Sequence, residues 1–183
     1  MNRHFVFKKL SVFATFLVMI FIFHSTVVAQ VNNKNSMSEH INSADSAKGI
    51  TIHQEINFSV SPQRVYQALL SSKQFSDCTK RSFSMFTATS AQIDPVAGGV
   101  FSVFDGHIIG RILELVPDQR IVEAWRVVDW PAGIYSIAKF EFKTQGSGTE
   151  LIFDHIGFPD GLKEHLTIGW QQHYWDALAK YFQ

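Results

Sequence analysis

Arg120-Ile121-Val122-Glu123-Ala124-Trp125-Arg126, a break at Trp130-Pro131-Ala132-Gly133, Gly148-Thr149-Glu150-Leu151, Asp154-His155-Ile156-Gly157-Phe158-Pro159 and Gly169-Trp170-Gln171-Gln172-His173-Tyr174-Trp175 dominate the last third of the chain. Between the Pro/Gly break and Gly148, Ile134 to Lys143 shows the cleanest alternation in the chain. Ile134, Ser136, Ala138, Phe140 and Phe142 share one face, and Lys139, Glu141 and Lys143 share the other. One face of such a strand is buried and the other is wet, as in an antiparallel sheet. The closing segment carries Leu162, Leu166, Trp170, Tyr174 or His173, Ala177, Leu178 and Tyr181 along one helical stripe. A sheet wrapped on a long C-terminal helix is expected, and between the two a cavity.

Working outward, Ile50 to Val60 reads as a first strand, and Ser61-Pro62 starts a helix with Ser as cap and Pro in the first turn. Val65, Tyr66, Leu69 and Leu70 turn one side of it to the sheet, and a short helical or irregular piece follows through Phe75. Phe83 to Ile93 reads as a strand ended by Asp94-Pro95 and Gly98-Gly99. Val100 to Phe104 and His107 to Val116 meet at Asp105-Gly106, a hairpin signal because both central positions favour positive φ. Pro117-Asp118 turns into Ile121 to Val128, and Gln145-Gly146-Ser147-Gly148 turns into the last strand, Thr149 to Phe158. The last helix begins after Asp160, its expected N-cap. The class is α+β: a curved antiparallel sheet of six to seven strands, one or two short helices after strand 1, and a long C-terminal helix.

The first thirty residues say something different. Arg3, Lys8 and Lys9 precede an uncharged apolar run of fourteen residues, Leu10 to Phe23, followed by His24-Ser25-Thr26-Val27-Val28-Ala29. This is the pattern of a secretory signal peptide cut between Ala29 and Gln30. The run falls short of the roughly 20 residues of a spanning helix; an uncleaved membrane anchor is the alternative. The protein is therefore expected to be periplasmic or secreted, touching a membrane only through its export signal. Residues 30–49 are Asn- and Ser-rich, with little to bury, and read as a flexible tether. Residues 50–183 form one domain.

Removal of residues 1–29 leaves 13 basic against 16 acidic side chains, a formal charge of −3, which excludes the basic footprint of a nucleic-acid binder. Cys78 is the one cysteine, so an internal disulfide cannot form, and it is expected as a small, partly buried apolar residue.

Several fragments point further. Ser61-Pro62 ahead of Val65-Tyr66-Gln67-Ala68-Leu69, Gly98-Gly99-Val100-Phe101, Gly106, Gly110 and Leu115-Val116-Pro117 come first. Trp125-Arg126, Trp130-Pro131, Gly148-Thr149-Glu150-Leu151 and Gly169-Trp170-Gln171 follow. In order and spacing this series resembles the activator of heat shock protein 90 ATPase family, specifically its C-terminal-type domain, within the wider SRPBCC (START-related) group. The resemblance covers roughly Ile50 to Gln183 and implies a helix-grip fold whose cavity often takes hydrophobic ligands. There are departures. The eukaryotic activators carry a separate N-terminal domain with an Asn- and Trp-containing stimulatory motif, whereas the first tryptophan here is Trp125. Many bacterial members have a tryptophan soon after the first helix, where this chain has Asp77-Cys78-Thr79.

The residues give little support for catalysis. Gly98-Gly99-Val100-Phe101 lacks the spacing of a phosphate loop, and there is no Gly-x-Ser-x-Gly elbow. Asp154 and His155 adjoin on a strand and so point to opposite faces. His155 is expected inward, as a hydrogen-bonded core histidine or a ligand contact. His165 and His173 stand about two helical turns apart, too far to share a metal ion. The reading is a non-enzymatic module without metal or cofactor, holding a small hydrophobic or lipid-like ligand between sheet and helix. The expected lining is Phe101, Val103, Trp125, Phe140, Phe153, His155, Trp170 and Tyr174. The alternative is a protein-interaction or chaperone-assisting module using outward apolar residues such as Ile152 and Ile156. A further alternative is an enzyme acting on a hydrophobic substrate.

Overall fold

The computed structural model describes residues 51–80 and 90–183. The signal segment, the tether and most of the expected Phe83–Ile93 strand lie outside the described residues. Seven strands are present: β1 (Thr51–Phe58), β2 (Gln92–Ile93), β3 (Val100–Val103), β4 (Ile108–Val116), β5 (Arg120–Val127), β6 (Ser136–Gln145) and β7 (Gly148–Ile156). They form one antiparallel sheet in the order β1-β7-β6-β5-β4-β3-β2. Two short helices, α1 (Pro62–Leu70) and α2 (Ser72–Thr79), follow β1. The chain closes with α3 (Lys163–Trp170), a π-helical turn (Gln171–Trp175) and α4 (Asp176–Tyr181), read end to end as one long helix. This is the α+β arrangement expected from the alternating strands and the aromatic stripe, and the helix-grip fold that the resemblance implies.

The strands follow their side chains. In β1, Ile52 and Phe58 are buried while His53, Glu55 and Asn57 are exposed. In β6, Ser136, Ala138, Phe140 and Phe142 face the core as the alternation requires. Gly99, Gly110 and Gly148 stand where a Cβ would collide with backbone; on Gly110 it would lie 2.2 Å from the Ala124 carbonyl oxygen and 2.3 Å from the Phe101 ring. Gly110 thus makes room for a buried phenylalanine from the neighbouring strand. A bulge in β4 sets Ile112 opposite Glu123 and Glu114 opposite Val122. The extra residue, Leu113, is left exposed.

Several boundaries differ from the sequence reading. Ser61 occupies the N-cap of α1 but its side chain makes no capping bond; its carbonyl accepts from Arg64 and Val65 instead. The second helix runs on past Phe75 to Thr79, because Phe75, Cys78 and Thr79 recur at helical spacing and bury one side. At the β3–β4 hairpin, Val103 pairs with Ile108, so the turn has four residues, Phe104 to His107. Phe104, Asp105 and Gly106 all have positive φ (52°, 54° and 87°). The turn is wider than the Asp-Gly signal because Phe104 is drawn wholly into the core. Strands β6 and β7 run into the expected Gln145–Gly148 turn, pairing Gln145 with Gly148. The last helix starts at Lys163, not after Asp160, since Gly161 takes φ 79° and Leu162 becomes the N-cap.

The π-turn has the largest effect on packing. A regular helix carrying Trp170 and Tyr174 inward would turn Trp175 aside. The wider turn buries both Tyr174 and Trp175. The Trp175 indole N–H then donates to the Gln54 side-chain oxygen on β1 at 2.8 Å. Trp175→Ala is expected to cost ~3–5 kcal/mol in urea unfolding. A loss below about 1 kcal/mol, ordinary for a surface position, would place Trp175 in water and remove the π-turn's role.

Candidate functional site

Between sheet and C-terminal helix lies a continuous aromatic cluster. Trp170 contacts Phe153 (ring centroids 4.3 Å), Tyr174 (4.1 Å), Trp125 (5.4 Å) and Phe140 (5.9 Å). At its centre stands His155 on β7, with no accessible surface. The Trp170 indole N–H donates to His155 Nδ1 at 3.0 Å. Indole nitrogen is a donor alone, so Nδ1 is the unprotonated nitrogen and the proton sits on Nε2. Nε2–H therefore donates to Ser136 Oγ at 2.6 Å, and Ser136 passes its own proton to the Trp125 carbonyl at 2.9 Å. Burial pushes His155 down to about 3, so the imidazole stays neutral.

The Ser136–His155 contact has the outline of a nucleophile and its base. Its polarity is the wrong way round. The histidine donates to the serine, the serine's proton is committed to a backbone carbonyl, and both side chains are wholly buried. A working pair needs the imidazole to accept from an accessible hydroxyl. Asp154, the other neighbour of interest, points outward to His53 Nδ1 at 2.6 Å and Lys139 Nζ at 3.1 Å. Cys78 is buried and its thiol is pushed up to about 12 by desolvation, which leaves it a packing residue.

The eight residues expected to line a cavity are distributed over three places. Phe140, Phe153, His155 and Val103 are core. Trp125, Trp170 and Tyr174 each turn one edge to a pocket of about 310 Å³. Phe104, His107, Ile108, Val127, His165, Leu166, Ile168, Gln172 and His173 complete its wall. Phe101 borders a second, open groove of about 1000 Å³ at the β3–β4–β5 end of the sheet. The 310 Å³ pocket owes its shape to the four-residue hairpin turn. Phe104 packs edge-on against Phe75 (5.5 Å) and Tyr174 (5.4 Å), held in a left-handed conformation that costs a bulky residue ~1–3 kcal/mol.

The outer face of the sheet divides into two zones. One row runs Ile156–Ile137–Ala124–Arg111–Val100 across β7, β6, β5, β4 and β3. Val100 and Ile156 in that row are exposed, and Val100, Ile109, Ala124 and Tyr135 border the large groove. The parallel row Glu55–Ile152–Glu141–Arg120 is charged, so Ile152, half-buried, sits among ions while Ile156 ends the apolar row.

Sequence reasoning missed Glu123. It pairs with Ile112 and Ala138, both fully buried, and so points inward among apolar side chains. Desolvation pushes its carboxyl up to about 8 although the residue keeps some surface. The alternation Ile121, Glu123, Trp125 was the available signal. The hydrogen bonds of His155 had none, because Ser136 and Trp170 lie on separate elements.

Glu123 and His155 impose opposite pH dependences. An unfolded histidine takes its proton near 6.5 and folded His155 near 3, so stability falls as pH drops through that window. Folded Glu123 keeps to about 8 a proton the unfolded chain sheds near 4.5, so stability falls as pH rises through that window. Between about 4.5 and 6.5 the two slopes cancel. In urea unfolding across pH, Glu123→Gln is expected to remove the alkaline fall and to stabilise at pH 8 by ~1–3 kcal/mol. His155→Phe is expected to reduce the acid slope whatever it does to the absolute level. Unchanged slopes in both variants would contradict these placements.

Comparison with known proteins adds the following. A family model described as "Activator of Hsp90 ATPase homolog 1-like protein" matches residues 59–183. The human protein named "Activator of 90 kDa heat shock protein ATPase homolog 1" is 29% identical over 125 residues, 68% of this chain and 35% of that one. The chain thus spans about a third of the length of this relative. Among solved structures, an HSP90 activator from Plasmodium falciparum superposes with a TM-score of 0.62 at 26% identity, covering 69% of this chain and 91% of the other. The protein CV1439 from Chromobacterium violaceum gives 0.57 at 27% identity, covering 73% and 97%.

Proposed function

The chain belongs to the activator of Hsp90 ATPase homolog 1-like family, and from that premise we propose that its domain is a non-enzymatic, protein-binding module of the chaperone-assisting kind. The observation that carries this reading is the apolar outer row Ile156–Ile137–Ala124 continuing past Arg111 to Val100, beside the open groove bordered by Tyr135. An outer sheet face gains nothing by exposing such a row to water, and contiguous apolar surface of this sort marks protein contacts. The names of the relatives supply the partner class, a 90 kDa heat shock protein. With the export signal expected at residues 1–29, the proposal puts the work outside the cytosol, where a partner would be a client or chaperone of the same compartment.

The test is direct. The ATPase rate of a 90 kDa heat shock protein is measured with and without the protein, and then with the Ile137→Ser/Ile156→Ser variant. Stimulation of several-fold that the variant loses, with unfolding shifted by no more than about 1 kcal/mol as expected of outward residues, supports the reading. No stimulation by the unaltered protein sinks its chaperone version.

A second reading is favoured by the 310 Å³ pocket, which falls at the small end of the range for ligand sites and has aromatic walls. Here the domain holds a small hydrophobic or amphipathic molecule beside the C-terminal helix. Native mass spectrometry of protein purified from an exporting host, without detergent, is expected to show one extra mass that leaves on denaturation. A clean mass with no uptake from a lipid extract would end this reading.

A further inference from the structure

The pocket beside the C-terminal helix has a polarity that its apolar walls conceal. Its floor is Phe104, Ile108, Trp125, Leu166, Trp170 and Tyr174, all buried. Its polar members are three imidazoles, His107, His165 and His173, with Gln172 and the Tyr174 hydroxyl. His107 comes from the β3–β4 turn, and His165 and His173 come from α3 and the π-turn, so two separate elements bring them to one opening. His165 and Gln172 are exposed and His107 and His173 half-buried, which puts the polar groups around the mouth and the rings below. Every one of these groups can donate a hydrogen bond. Among the described residues lining the pocket none is Asp or Glu, and none is Lys or Arg. Nor do the imidazoles gather to chelate, since among the described residues no three His, Cys, Asp or Glu side chains are placed to hold a metal ion.

We propose that this pocket takes a small amphipathic acid, its apolar body lying on Trp125 and Trp170 and its carboxylate at the His107, His165 and His173 mouth. The proposal rests on the ligand-pocket reading above and names the class of ligand. Two features select it. Donors without carboxylates favour an acceptor-only anionic head over an amine, which would find no charge partner there. The volume sets the size: 310 Å³ is the share of about ten liquid waters, hence a molecule of ~10–15 non-hydrogen atoms, a medium-chain or single-ring acid.

The test compares three probes of one chain length, octanoate, octanol and octylamine, by titration calorimetry on protein purified from an exporting host. Octanoate is expected to bind at least tenfold more tightly than octanol, and octylamine more weakly than either. His165→Leu, at an exposed position, removes one donor and is expected to narrow the gap between acid and alcohol. His165→Leu/His173→Leu, which removes two of the donors, should close it by weakening octanoate far more than octanol. Equal binding of octanoate and octanol by the unaltered protein would overturn the assignment of an acid while leaving the pocket a ligand site. Binding of none of the three would overturn both. If the double variant fails to fold, the three-probe comparison on unaltered protein still decides.

Discussion

One chain of hydrogen bonds passes through the middle of this domain, from the Trp170 indole to His155, from His155 to Ser136, and from Ser136 to the Trp125 carbonyl. It links the C-terminal helix to β7, β6 and β5 in turn, inside a cluster of rings that would otherwise offer no preferred register. Aromatic packing is strong but tolerant of sliding; a polar chain in which each donor has one acceptor is not. Three buried polar groups are costly unless all are satisfied. Docking the helix in its observed register satisfies them together. The helix position, and with it the Trp170 and Tyr174 wall of the pocket, follows from that fit.

Much of this was legible from the chain, and the illegible parts have physical causes. Ser136 to Lys143 announces its strand because period-two burial is written into every second residue, whereas Ile134, read onto the same face, lies ahead of β6 and is exposed. Leu166 and Trp170 announce an inward helix face in the same way. Trp175 does not, because a π-turn breaks the 3.6-residue rule and leaves no mark in composition. His155 could be placed inward from its strand, but its partners Ser136 and Trp170 are brought to it by tertiary packing alone. The wide β3–β4 turn was hidden by a competing local signal. Asp-Gly asks for two residues, and the burial of Phe104 imposes four. Of the eight residues named as cavity lining, Trp125, Trp170 and Tyr174 border the pocket because each ring is large enough to serve core and wall together.

The domain thus presents two surfaces with different demands. On the proposed protein-binding reading the outer row of apolar residues meets a partner of matching area, and the neighbouring charged groups around Asp154 and Lys139 keep the rest of that face hydrated. The pocket needs a fixed helix, which the core provides. Glu123 sits between these demands, an acid held among apolar neighbours on the inner side of β5. Its desolvation is a standing cost to the fold, tolerated because the rest of the inner face is so thoroughly packed.

All four tryptophans of the chain are in that packing. Trp130 meets Trp125 at 5.5 Å, Trp125 meets Trp170 at 5.4 Å, and Trp170 stacks on Trp175 at 5.7 Å and 17°. Indoles this close share excitation, so the tryptophan part of the near-ultraviolet optical activity and emission comes from one place, the seam between the β5 end of the sheet and the C-terminal helix. Tryptophan light reports that seam. A molecule whose helix has lifted from an intact sheet looks optically unfolded, while one that has lost α1 and α2 looks native.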